Sequence, residues 1–219
     1  MTWDWGYAAS IMPDLLVAAW LTVIIALVSA VIALTGGLAI AVVGWNSPPI
    51  LRRSIALVID AVRGIPVLVL LFFVFYALPT YGLLLTPFLT GILVLGGAYA
   101  AYSSEVYRGG LASLPQSMWD ACHALGLPRR TAWTRVVIPM VVRSTVGALG
   151  NYVVILYKQT SLLVAIGAPV LLTVAQGQGY ASFRYLEPYT LAGLLYLVLN
   201  IPTVFALRAI ERRAGRGGF

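Results

Sequence analysis

Three runs without a single charged side chain constrain this chain more than anything else in it: residues 15–51, 64–104 and 188–207. About 20 predominantly apolar residues suffice to cross the hydrocarbon core of a bilayer. Inside lipid, only a helix satisfies its own backbone within one segment. The chain therefore reads as an all-α integral membrane protein forming one domain over residues 1–219, and its 61% hydrophobic and 10% charged composition excludes a soluble domain. The first run exceeds one crossing, so the first helix is long, tilted or extends past the membrane. The second holds two crossings, about Ile65 to Leu78 and Leu84 to Tyr102, turning at Pro79-Thr80-Tyr81-Gly82. A fourth runs from Ser144 to Tyr157, then through Lys158-Gln159-Thr160-Ser161 into a further apolar run from Leu162 to Ala175. Gln176 to Glu187 reads as an outer loop. Residues 188–207 make a fifth crossing, with Asn200-Ile201-Pro202 as a kink.

Charge sets the topology. The net charge is +7, and the arginines collect between or after apolar blocks: Arg52 and Arg53; Arg108, Arg129, Arg130, Arg135 and Arg143; Arg208, Arg212, Arg213 and Arg216. The positive-inside bias puts these regions in the cytoplasm, the N-terminus outside and the C-terminus inside, with Arg184 the one clear external arginine. The basic tail suits an anchor beside anionic lipid, not a nucleic-acid surface. Trp3, Trp5 and Tyr7 suit the outer interface. Asp4 and Asp14 precede the first apolar block, where a cleavable signal peptide would have a basic start. The single Cys122 excludes an internal disulfide, and the single His123 excludes a multi-histidine metal site. There is no Gly-x-x-x-x-Gly-Lys-Ser/Thr loop to bind ATP. No catalytic carboxylate pair, histidine cluster or activated serine lies inside the spans, which argues against an intramembrane enzyme.

Several positions stand out locally. Gly36-Gly37 either bends the first helix or lets a neighbour pack closely; Ala33 and Gly37 form a small-xxx-small pair, which favours packing. Asn46-Ser47-Pro48-Pro49 ends the first helix. Asp60 with Arg63, and Glu105 with Arg108, are three residues apart and share a helix face. Each pair is either a local ion pair at a helix end or part of a cytoplasmic gate or inter-subunit contact. A lysine deep in a bilayer costs roughly 2.5–3.5 kcal/mol on insertion scales, and interrupted helix is tolerated there only inside protein or beside a cavity. Asn151, Lys158, Gln159, Thr160 and Ser161 are therefore candidates for a polar pathway, the alternative being that Lys158 staples two helices or snorkels. In the island from about 108 to 143, helical spacing puts Leu111, Leu114, Met118, Cys122 and Leu125 on one face. Pro115 suits the first turn and Gly126 the end. Small side chains at Ala121, Cys122 and Ala124 would admit a close partner. The island is a docking surface for another protein or a plain interfacial loop.

The stretch around Trp119-Asp120-Ala121-Cys122, three residues, Gly126, nine residues, Val136-Val137-Ile138-Pro139 resembles the EAA loop of ABC importer permeases. Asp120 stands where that family has Glu, and Cys122 where it has a second Ala. From about Asp60 to Arg213 the chain is similar to the polar-amino-acid branch of those permeases. Arg63-Gly64-Ile65-Pro66-Val67-Leu68 resembles its Arg-Gly-Thr-Pro-Leu-Leu, and Glu105-Val106-Tyr107-Arg108-Gly109-Gly110 its Glu-hydrophobic-aromatic-Arg-Gly-Gly. Gly150-Asn151 and Lys158-Gln159-Thr160-Ser161-Leu162 resemble its Gly-Asn and Lys-Asp-Thr-Ser-Leu, with Gln159 replacing the Asp. A narrower likeness is to the ectoine and hydroxyectoine branch. It rests on Met1-Thr2-Trp3-Asp4-Trp5, Phe75-Tyr76-Ala77-Leu78-Pro79, Glu105-Val106-Tyr107-Arg108 and Phe183-Arg184-Tyr185-Leu186-Glu187-Pro188.

The resemblance implies a type I ABC importer fold with five transmembrane helices in a bacterial cell membrane. It implies a coupling helix made by Trp119, Asp120, Ala121, Cys122, Ala124, Leu125 and Gly126, with Pro139 closing the motif. The implied partners are a dimer of ATPase subunits, which hold the ATP and magnesium, a second permease subunit and an external solute-binding protein. No cofactor or metal is expected on this chain. The implied activity is import of a polar amino acid, or of a zwitterionic compatible solute such as ectoine or hydroxyectoine, by alternating access. The rivals are an ordinary polar amino acid such as histidine, glutamine or arginine, and an ATP-independent carrier or channel.

Overall fold

In the computed structural model, which describes residues 3–215, every regular element is helical. Met1, Thr2 and Arg216 lie outside the described residues. The first uncharged run becomes α1 (Trp5–Asn46), capped by the Asp4 carboxylate, which accepts from the Tyr7 N–H. At 1.5 Å per residue its 42 residues rise about 63 Å, roughly twice a hydrocarbon core of about 30 Å. After Pro48, α2 (Pro49–Gly64) turns away, and α3 (Val67–Phe72) continues through wider and tighter helical turns to Tyr81. The axes of Pro49–Gly64 and Val67–Tyr81 differ by 98°. α4 (Pro87–Ala112) runs parallel to α1: Ile32 faces Gly96, Gly36 faces Ala100 and Gly37 faces Ser103. The short α5 (Gln116–Ala124) and α6 (Arg129–Thr131) lead through a π-type turn, Ala132–Val137, into α7 (Ile138–Gln159). A tight 3-10 segment, Thr160–Ile166, then precedes α8 (Leu171–Ser182) and α9 (Leu186–Gly215).

Trp5–Asn46, Arg129–Ile166 and Leu186–Arg213 are each long and apolar enough to cross a membrane, and the bent pair Pro49–Gly64 with Val67–Tyr81 is a fourth candidate. α4 is long enough by length, but Thr90, Ser103, Ser104 and its glycines make it more polar. Its surroundings explain this: α4 is sheathed by α1, α3 and α7, so its polar groups meet protein. The region from Gln176 to Ser182 is the second half of α8, not loop. The expected outer loop shrinks to the turn at Phe183, whose φ is +55°.

Packing follows the small residues. A Cβ at Gly37 would lie 2.6 Å from the Ser103 Cβ, and one at Gly96 2.8 Å from Ile32. Without a hydrophobic drive between helices in lipid, such close approach is the main source of association. Ala33 is buried in the same seam. A core of Ile25, Ala30, Ala33, Leu71, Leu95, Tyr99, Leu156 and Leu163 fills the middle of the bundle. The break after Ile166 is held by a buried hydroxyl: Thr22 Oγ1 accepts from the Leu171 N–H at 2.9 Å and donates to the Ala18 carbonyl at 2.8 Å.

One end of the bundle is clasped by charge. Arg184 reaches Asp4 at 3.1 Å and Glu187 at 2.6 Å, and its guanidinium lies 5.4 Å from the centre of the Tyr7 ring. Glu187 is 1% exposed and accepts from the Asp4 backbone N–H at 3.0 Å. The Tyr7 N–H, and then Arg184, hold the Asp4 carboxyl below its ordinary pKa.

Gly96→Ala places a methyl against Ile32 and is expected to cost about 1–3 kcal/mol. Gly97→Ala, which meets nothing within 4 Å, serves as the control. Thermal unfolding of the two detergent-solubilised variants checks this, and equal midpoints would refute the seam.

Candidate functional site

α5 and its flanks form the exposed knuckle between α4 and α7. The α5 backbone ends in a Schellman motif. The Leu127 N–H donates to the Cys122 carbonyl at 3.1 Å, and the Gly126 N–H to the His123 carbonyl at 2.9 Å. Gly126 has φ +62°, a left-handed conformation that costs other L-residues about 1–2 kcal/mol. That is a local physical reason for glycine at this point of the motif. Leu111 and Cys122 are buried, and Leu114 and Met118 half-buried, as the helical face requires. Leu125 departs from that face: it is 75% exposed beyond the last turn of α5. Asp120, Ala121, Ala124 and Gly126 are exposed with it, while Trp119 packs edge-on against Trp133 at 5.9 Å between ring centres. Gln116 Nε2 donates to Asp120 at 3.2 Å, one turn along.

The knuckle is tied back to the bundle. Arg129 donates to the Asn46 side chain at the end of α1, a contact no local sequence pattern signals. Trp45, Asn46, Trp119, Cys122, His123, Arg129 and Trp133 line a cavity of about 630 Å³ behind α5. Pro139 sits in the first turn of α7, just after the π-type turn. A proline lacks the N–H and clashes with the carbonyl four residues back, and a widened turn relieves both.

Asp60–Arg63 and Glu105–Arg108 are both formed as pairs three residues apart, at 3.6 Å and 2.7 Å. Arg63 also lies 5.4 Å from the centre of the Tyr102 ring, and the Tyr102 hydroxyl donates to the Arg63 carbonyl at 3.1 Å. Glu105 and Arg108 line a cavity of about 230 Å³ with Trp45, Arg52 and Ser104. It lies between α1, α2 and α4.

The pathway candidates divide. Asn151, Val154, Lys158 and Ser161 follow each other at steps of three, four and three, so they share one face of α7 and its extension. Asn151 and Lys158 are exposed on it. Thr160 points the other way: it is fully buried, donates to the Tyr157 carbonyl at 2.6 Å and lies 3.4 Å from the Tyr196 hydroxyl. Gln159 is half-buried towards Tyr99. Lys158 and Ser161 share a cavity of about 420 Å³ with Tyr196 and Asn200 of α9. Among the described residues the Lys158 ammonium has no ion pair, and the buried Asn200 Oδ1 has no hydrogen-bond partner. Tyr196 and Asn200 were missed from sequence as members of this group, although a lone asparagine in an uncharged span is itself a signal.

A family model described as a binding-protein-dependent transport system inner membrane component matches residues 33–216. The chain belongs to that family. The permease is 34% identical over 215 residues to a "probable amino-acid ABC transporter permease protein" of Sinorhizobium fredii, covering 96% of this chain and 93% of the relative. It is 31% identical over 220 residues to the glutamine transport system permease protein of Escherichia coli K12, covering 97% and 98%. Among solved structures it resembles an amino acid ABC transporter crystallised with histidines, with a TM-score of 0.87 and 26% identity over 97% of this chain and 100% of that one. It shares its fold with an inward-facing form of the MetNI methionine ABC transporter, at a TM-score of 0.79 and 21% identity over 94% and 98%. The permease is thus an inner-membrane subunit of the amino-acid ABC transporter type, and ATP hydrolysis belongs to a separate subunit.

Gly126→Asn is expected to be milder than Gly126→Ala, because asparagine tolerates positive φ better. Hydrogen exchange at the Leu127 amide should rise least for Asn and most for Ala. Equal protection in all three proteins would remove the case for a required glycine.

Proposed function

We propose that this permease imports a polar amino acid or an amino-acid-like zwitterion, driven by ATP on partner subunits. The observation that carries the reading is the Lys158 ammonium on one α7 face with Asn151 and Ser161, beside the Asn200 oxygen, both without a partner among the described residues. A cationic donor with a nearby acceptor complements a carboxylate and an ammonium on one small solute. The ectoine-type compatible solute is the narrower reading, supported by the Phe75 to Pro79 and Phe183 to Pro188 stretches. The glutamine permease among the relatives favours an ordinary polar amino acid.

In this reading the exposed knuckle of Asp120, Ala121, Ala124, Leu125 and Gly126 seats on an ATPase subunit, with Trp119 and Cys122 holding it to the bundle. Closure of two ATPases on ATP pushes the knuckles of two permease subunits, homodimeric or heterodimeric. Each knuckle moves the base of α7 through Pro139 and the end of α1 through Arg129 and Asn46. Asp60–Arg63 and Glu105–Arg108 lie at the same end of the bundle and act as gate contacts there. An external binding protein delivers solute at the opposite end, near the Asp4–Arg184–Glu187 clasp. The arginine-rich end faces the cytoplasm, with the N-terminus outside, the C-terminus inside and α4 as one of five crossings. Parallel α1 and α4, and the lone Arg184 at the far end, support that orientation.

The test is uptake of labelled ectoine by proteoliposomes carrying the permease with its ATPase, partner permease and binding protein. Hydroxyectoine, histidine, glutamine and arginine are the competitors. ATP-dependent uptake blocked by hydroxyectoine alone identifies the compatible solute, and uptake blocked by an amino acid identifies the ordinary importer. Uptake that persists with an inactivated ATPase refutes the ATP-driven reading. Lys158→Met is expected to lower uptake at least tenfold per inserted molecule, on the order of 1.4 kcal/mol or more. Unchanged uptake per molecule with reduced insertion would assign Lys158 a structural role.

A further inference from the structure

Among the described residues, the face of α2 turned away from the bundle has no partner. Pro48 and Pro49 start this helix, and Ile65-Pro66 follows it, so it is a separate rigid rod. It touches the bundle through a narrow stripe: Ile59 is buried, and Ile55 and Val62 are half-buried. Its apolar arc is wider than that stripe. Ile50 is 82% exposed, Leu57 71% and Val58 62%, with Leu51 also exposed. At 100° per residue, Arg52, Arg53, Asp60 and Arg63 occupy the other arc. Asp60 is taken by Arg63. Arg52 and Arg53 are exposed and make no side-chain ion pair among the described residues.

Two further observations say what covers the arc. α2 lies at 98° to the helix that follows it, so it runs along the membrane surface when Val67–Tyr81 runs across it. The flanking spans also carry exposed apolar side chains, Val43 of α1 and Val69 and Phe73 after α2. A helix with one apolar face and basic residues on the other, lying in the interface, binds by sinking the first into acyl chains and setting the second among headgroups. Surface arginines add electrostatic attraction towards anionic lipid.

We propose that α2 is an interfacial anchor that docks on anionic phospholipid at the arginine-rich end of the permease. Ile50, Leu51, Leu57 and Val58 insert among acyl chains, while Arg52 and Arg53 hold the phosphates. Anchored in this way, α2 ties the start of α3 and the Glu105–Arg108 cavity to the membrane surface, because Arg52 and Ile59 line that cavity.

The test places the photocrosslinker p-benzoylphenylalanine at Leu57 in the whole transporter, reconstituted in nanodiscs of phosphatidylglycerol and phosphatidylcholine. The crosslinked species are identified by mass spectrometry. Adducts to phospholipid are expected, with phosphatidylglycerol enriched several-fold over its share of the bilayer. The same probe at Leu194, exposed on α9, should report the bulk ratio. Arg52→Gln with Arg53→Gln should return the ratio at Leu57 to the bulk ratio reported at Leu194. Adducts to a second permease or to the ATPase would overturn the proposal, as would lipid adducts at the bulk ratio in the unsubstituted protein.

Discussion

The close approach of α1 and α4 is the contact on which the rest of the bundle depends. Lipid tails are as apolar as leucine, so helices in a membrane gain little by burying large side chains against each other. What holds them is dense packing where small residues let two backbones meet. Gly37 against Ser103 and Gly96 against Ile32 supply it here, and Ser29 adds a hydroxyl donation to the Ile92 carbonyl at 3.4 Å. α1 is long enough to serve several neighbours in turn. Ala8, Ile11, Leu15 and Ala19 pack on α8 and α9, and the region from Ile25 to Ala33 meets the central core. Ala41 meets the base of α7.

The second constraint is that every interruption of a helix must be compensated inside protein. The breaks here come with their compensation. The π-type turns at Phe73–Ala77 and Ala132–Val137 precede Pro79 and Pro139, where a regular helix would clash. The break after Gly167 is capped from a distance by Thr22 of α1. That break starts α8 anew below the clasp, with the Tyr7 hydroxyl reaching Ser182 at 2.7 Å. The polar group around Lys158 therefore sits one 3-10 segment before a fixed point rather than on a loose loop.

Much of this was legible in sequence, for identifiable reasons. Charge-free runs mark apolar helices because charge is costly in lipid: 15–51 falls largely in α1, 64–104 divides into α3 and α4, and 188–207 falls in α9. The Ala33–Gly37 spacing marked the seam. Spacing by three placed both ion pairs correctly. Gly126 was legible as a helix end because a left-handed residue must follow the last turn. The failures share one cause, which is tertiary context. Thr160 shares a motif with Lys158 but turns into the core, because the tight 3-10 segment rotates it towards Tyr196. Leu125 matched the apolar face by period, yet the helix ends before that period applies to it. Gln176 to Ser182 looked like loop from its glycines and glutamines, but packing on α1 and α9 keeps it helical. The Arg129–Asn46 bond spans 83 residues, a separation that no local pattern reports.

On the proposed reading the knuckle is a coupling surface, and such a surface needs rigidity more than area. An ATPase displaces α5 by pushing on Asp120, Leu125 and the exposed small residues beside them. A helix of nine residues is marginal alone in water, so a frayed end would absorb the displacement instead of passing it on. Three features of this chain oppose fraying. The Schellman bonds close the last turn, Trp119 braces the middle against Trp133, and buried Cys122 with Leu111 fixes the inner face. The displacement then leaves by two routes. One is covalent, through the π-type turn into α7 and on to the face that carries Lys158. The other is the Arg129 bond to the end of α1, the helix whose seam with α4 organises the bundle. A surface that touches both helices can change their relative position without breaking the glycine seam, because both routes enter at the same end.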